Sequence, residues 1–188
     1  MTDTEKLIKA MGGIVVGYVF LHFDINLMII NIFPDWLGYV AIVHVLDALG
    51  EEEPSANLLR PLGGILVAWE FYEIAEKMIG FEWNVQILGT IVTVISLYFH
   101  FQLLTNIATI AERYEYPKYP NLIKLRTART LLITAFAVMP LSWEKHIWLV
   151  TGLAFVGIVI GVWICIELNA FKKALSADST DNRLENEP

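Results

Sequence analysis

Cysteine is all but absent: Cys165 stands alone in a chain of 188 residues. That excludes an intramolecular disulfide framework and a multi-cysteine metal cluster. Charge is scarce too, with 18% Asp, Glu, Lys and Arg against about 25% in a soluble domain. There is no HExxH, no GxSxG, no P-loop and no Rossmann glycine pattern. His22, His44 and His100, with Glu70, fall on four different segments without metal-ligand spacing. No catalytic residue, metal or cofactor is therefore expected. A basic face interleaved with aromatics is missing as well, so nucleic acid is not an expected partner. The first apolar run lacks a small-residue cleavage site, which reads as a membrane segment rather than a cleaved leader.

What is present is apolar: 56% of the residues are hydrophobic and the mean hydropathy is +0.55. The expectation is an all-α, polytopic integral membrane protein in contact with the lipid bilayer. Helices apolar all round carry no useful periodicity, so length and punctuation set the bounds. Six transmembrane helices are read, at about 5–23, 35–50, 58–80, 85–113, 122–139 and 146–170. Residues 1–174 form one domain, and 175–188 read as a disordered polar tail. Between the first two helices, Asp24 to Pro34 is too short to span and too apolar for a solvated loop. It reads as a re-entrant or interfacial connection.

Lysine and arginine orient the chain. With both termini in the cytoplasm, Lys6, Lys9, Arg60, Arg113, Lys118, Lys124, Arg126, Arg129, Lys172, Lys173 and Arg183 lie inside. Only Lys77 and Lys145 lie outside. This follows the positive-inside rule, and Trp36, Trp83, Trp143 and Trp148 all fall at the outer boundary. The expected location is the bacterial cytoplasmic membrane.

The chain is organised around Trp69-Glu70-Phe71-Tyr72-Glu73-Ile74-Ala75-Glu76-Lys77, three carboxylates inside a hydrophobic segment. A charge near a bilayer centre costs roughly 2.5–3.5 kcal/mol on insertion scales. Glu70 and Glu73 fall about 60° apart on a helix, so that face needs covering by other helices or by a wet cavity. The natural cover is the next helix, where Gln86, Thr90, Thr93, Ser96 and His100 form one polar stripe. Glu70, His100 and His44 fall near the middle of their spans, and Asp24, Asp35, His22, Glu73 and Glu76 toward the outer half. The functional reading is a polar cavity that binds a cation, a proton or a small polar solute, with Glu70, Glu73, His100, His44, Asp24, Asp35, Thr93 and Ser96 as candidates. Beside it stands a structural reading: Glu73 with Lys77 is an ordinary ion pair, His44 with Asp47 locks the second helix, and His100 satisfies a Thr or Glu across the contact of the third and fourth helices.

Two small-residue faces, Gly13/Gly17 and Gly157/Gly161, let another helix approach closely. The neighbour is either within the fold or in a membrane-protein partner or second copy.

The block Asp24-Ile25-Asn26 followed by Ile32-Phe33-Pro34-Asp35-Trp36-Leu37-Gly38-Tyr39 resembles a pattern in uncharacterised small multi-pass membrane proteins of Gram-positive bacteria. It covers about the first 50 residues and implies no activity. In size and helix number the chain is also similar to the S-components of energy-coupling-factor transporters, which dock a partner through small residues of their first helix. That similarity would give Ala10, Gly13 and Gly17 the docking role. It is an analogy of fold alone. The leading expectation is solute or ion binding or transport, possible as a subunit of a larger transporter. The alternative is a non-catalytic assembly or regulatory partner whose buried charges are structural, and an intramembrane enzyme ranks third.

Overall fold

The computed structural model describes residues 3–22, 26–27, 30–31, 35–79, 86–139 and 143–184. Among the described residues the fold is all-α but for one short ladder. Its helices are α1 (Asp3–His22), α2 (Asp35–Glu52), α3 (Leu59–Ile79), α4 (Gln86–Arg113), α5 (Tyr119–Val138) and α6 (Trp143–Leu184). Between α1 and α2, Asn26–Leu27 pairs antiparallel with Ile30–Asn31 across a two-rung ladder. A 3-10 turn, Pro54–Leu58, links α2 to α3.

The helix bounds follow from local chemistry. Asp35 opens α2 with a carboxylate at the positive end of the helix dipole. Pro120 sits in the first turn of α5, where a missing N–H costs nothing. That proline starts the helix at Tyr119, a turn earlier than 122. At the other end of the chain the expected disordered tail is corrected: α6 continues through residues 175–184. Leu168, Phe171 and Leu175 carry the buried stripe onward at steps of three and four, and Phe171 packs against Tyr116 with ring centroids 5.3 Å apart. Near its start, α6 has one non-helical residue, His146, with φ −127° and ψ 26°.

Each helix packs on its neighbours in sequence, and α6 returns to α1, so the six close into a ring. The glycine faces make that closure. A Cβ on Gly17 would stand 2.8 Å from the Gly38 carbonyl oxygen, and one on Gly13 would meet Val45 at 2.7 Å. The first small-residue face is thus taken up by α2 within the chain, and Ala10, one turn earlier, is buried. Gly161 is covered by the His22 ring of α1, and Gly157 lies beside Leu132 of α5.

The core gathers toward the end of the bundle that carries residues 51–58 and 114–118. Leu7, Met11, Leu46, Leu49, Leu103 and Ile107 are fully buried there. Around it runs a polar collar: Lys6 pairs with Glu51 at 2.8 Å, Arg113 donates to the Glu52 carbonyl at 2.7 Å, and the buried Asn106 amide meets Ser55 Oγ at 2.8 Å. Toward the opposite end α4 and α6 show apolar side chains outward, among them Ile87, Leu88, Val94, Phe155 and Ile158. Ile87–Arg113 and His146–Ser179 are long and apolar enough to cross a membrane, and only 22% and 17% of their most apolar stretches are buried. A soluble core helix would be mostly buried. The other four helices carry charged residues along their lengths, such as Glu70, Glu73 and Glu76 on α3 and Lys124, Arg126 and Arg129 on α5.

Candidate functional site

The inward stripe of α3 steps from Leu59 through Gly63 and Leu66 to Glu70 and Glu73, alternating four and three residues. Its apolar part is buried, and its last two members are carboxylates, both partly buried. On α5 the stripe Leu122, Leu125, Arg129, Leu132 follows the same rhythm, so Arg129 occupies a core position. It lies ten residues from the helix start, about 15 Å along the axis. The two stripes face one cavity of about 370 Å³, with α4 between them. Glu70, Glu73 and Trp69 line it from α3, Thr93 and Ser96 from α4, and Arg129 from α5. Tyr39 of α2 closes the remaining side.

Hydrogen bonds fix several of these groups. Trp69 Nε1 donates to Glu73 Oε1 at 2.7 Å, holding the indole and the carboxylate together. Thr93 Oγ1 donates to the Gly89 carbonyl at 2.9 Å. Tyr39 Oη and Ser96 Oγ are 3.3 Å apart. Tyr39 lies within electrostatic reach of Arg129, Glu70 and Asp35. Arg129 also acts on Tyr18, His22 and His100. The same Arg129 borders a second cavity of about 270 Å³ between α5, α6 and the end of α1, beside His22 and Gly157.

The expected site residues divide accordingly. Glu70, Glu73, Thr93 and Ser96 line the one cavity. His100 does not join them: it is buried behind the cavity, and its Nδ1 lies 3.2 Å from the Tyr18 hydroxyl of α1 rather than meeting a Thr or Glu of α3. Packing is the reason, since Phe99 and Tyr39 wall it off at ring-centroid distances of 5.4 and 5.9 Å. His44 is exposed on the outer face of α2, and the expected His44–Asp47 lock is replaced by an ion pair between Asp47 and Arg60. Asp35 is partly buried at the start of α2 and does not line the cavity. Asp24 and the Lys77 side chain lie outside the described residues, and with them the expected Glu73–Lys77 pair. Among the described residues no group of three His, Cys, Asp or Glu side chains is placed to hold a metal ion.

Two charges inside the bundle, one half-buried and one buried, were not expected from the sequence. Arg129 reads there as one of the inner-side basic residues that open the fifth helix, and the signal that places it deeper is the Tyr119-Pro120 helix start together with the leucine stripe. The second is Glu167 on α6, 6% exposed. Its carboxylate accepts from Asn121 Nδ2 at 3.0 Å and from Tyr116 Oη and Trp163 Nε1 at 3.4 Å. Burial and the neighbouring carboxylate push the Tyr116 hydroxyl above the ordinary tyrosine range, which keeps it a donor. Glu167 thus ties the 114–118 loop and the start of α5 to α6.

Compared with known proteins, the chain matches no family model, no curated protein and no solved structure.

Proposed function

We propose that the chain is a six-span protein of the bacterial cytoplasmic membrane whose cavity between α3, α4 and α5 binds, and passes across the membrane, a small polar solute or ion. The observation that carries this reading is that Glu70, Glu73 and Arg129 stand on the walls of one cavity. Ionised side chains inside a membrane protein are costly, and where they occur they tend to mark solute or proton pathways. The outward apolar faces of α4 and α6 support the membrane setting. The basic residues support the orientation even with Arg126 and Arg129 moved into the bundle: nine remain on the inner side against Lys77 and Lys145 outside.

The second reading, a non-transport assembly or regulatory partner, is favoured by Glu167 and His100, whose buried polar groups are bonded within the fold. Both glycine faces are covered inside the chain, so a partner would have to use another surface.

Glu70→Gln separates the two. The amide keeps most hydrogen bonds, so the variant folds with a thermal midpoint close to that of the wild type. Candidate solutes and cations are screened by thermal shift across about pH 5–8, the range in which protonation changes are physiologically relevant. A shift seen in the wild type and lost in Glu70→Gln supports the cavity. No response in either protein gives the partner reading.

A further inference from the structure

The walls of the cavity carry opposite charge on different helices. Glu70 and Glu73 belong to α3, Arg129 belongs to α5, and α4 runs between them. A bare cation drawn to the two carboxylates also meets the guanidinium, and a bare anion drawn to Arg129 also meets the carboxylates. A solute carrying both charges on one short skeleton satisfies both walls at once.

The neutral groups of the lining suit such a solute. On the acidic side the Trp69 indole is pinned by its bond to Glu73, and an aromatic face beside carboxylates suits an ammonium. Thr93 has given its proton to the Gly89 carbonyl, so it can only accept, which also suits an ammonium. Between the two walls Tyr39 and Ser96 share one hydrogen bond between two hydroxyls. Whichever of them donates, the pair retains one O–H to give, and Tyr39 is within reach of the Arg129 and Glu70 charges alike. A cavity of about 370 Å³ lies near the lower end of the roughly 300–1,000 Å³ typical of small-molecule sites.

We infer that the cavity takes a small zwitterion, an amine or quaternary ammonium joined to a carboxylate, with its cationic end against Glu70, Glu73 and Trp69 and its anionic end against Arg129. This rests on the cavity reading above and names its ligand class.

The test compares probes that share size and differ in charge, by thermal shift and isothermal titration calorimetry on the full chain in lipid nanodiscs. The zwitterions are L-alanine, L-proline, L-glutamine, γ-aminobutyrate and glycine betaine. The single charges are ethylammonium, tetramethylammonium and propionate, and the neutral control is propionamide. The expected result is binding of at least one zwitterion at least tenfold tighter than any singly charged or neutral probe. Amino acids and betaine separate a primary amine from a quaternary one, and either result supports the assignment. Arg129→Gln and Glu70→Gln should each weaken that binding at least tenfold, and Arg129→Gln should gain relative preference for ethylammonium. Tighter binding of ethylammonium, tetramethylammonium or propionate than of every zwitterion overturns the zwitterion and leaves the cavity a binding site. Binding of no probe at all overturns both. The comparison among probes on the wild type decides the matter even where a variant does not fold.

Discussion

Gly17 of α1 and Gly38 of α2 face each other so closely that a Cβ on either would strike the other's carbonyl oxygen, at 2.8 and 2.7 Å. Backbone cannot move aside as a side-chain tip can. Gly17→Leu or Gly38→Leu should therefore lower stability by about 1–3 kcal/mol, the usual cost of overpacking. Gly64 has nothing within 4 Å of its virtual Cβ, so Gly64→Ala should be neutral or stabilising by up to about 1 kcal/mol. Thermal midpoints of the three variants check this, and equal midpoints for Gly17→Leu and Gly64→Ala would show that the α1–α2 contact is loose.

Tyr18 and His100 are both buried and meet at 3.2 Å. Tyr18→Phe preserves the ring and its stacking on His22, and removes the only atom that reaches His100 Nδ1 among the bonds described. The expected loss is about 1–3 kcal/mol, the cost of leaving a buried polar group unmet. It is read as a lowered midpoint that His100→Phe in the same background partly restores.

Glu167 holds three donors from α5, α6 and the 114–118 loop. Glu167→Gln keeps one acceptor oxygen and should be mild. Glu167→Leu leaves all three donors unmet and should cost about 1–3 kcal/mol. Limited proteolysis of the 114–118 loop gives a second readout, with faster cleavage expected in the leucine variant alone.

The orientation is checked by labelling from outside. In a Cys165→Ala background, single cysteines at Asn84 and Ser142 should react with an impermeant maleimide in intact cells. Cysteines at Ser55 and Lys118 should react only after the membrane is opened. Labelling of Ser55→Cys from outside would reverse the topology.

The helix positions were largely legible because prolines, glycines and charge runs punctuate an otherwise uniform apolar chain. The acidic wall was legible too, since Glu70 and Glu73 interrupt a hydrophobic segment. Its basic counterpart was not. Counting lysines and arginines by loop treats Arg129 as a topology marker, and only the position of Pro120 in the first turn of α5 moves it inward. His100 lay on the expected stripe, yet the bulk of Phe99 and Tyr39 decided which side of that stripe met the cavity. The tail was misread for a similar reason: Lys172, Lys173 and Ser176 look like a solvated end, while Phe171 and Leu175 continue the buried face beneath them.

The closure of α6 on α1 has a consequence for how the chain is made. His22 is translated early, and the glycine that seats it, Gly161, emerges from the ribosome only when the last helix does. Throughout synthesis the first helix waits with one flank bare, while Glu70 and Glu73 are already in place before Arg129 arrives. A nascent chain stopped anywhere short of α6 is therefore defective at its beginning as well as its end, and a protease that surveys unfinished chains would meet that open flank at residue 22.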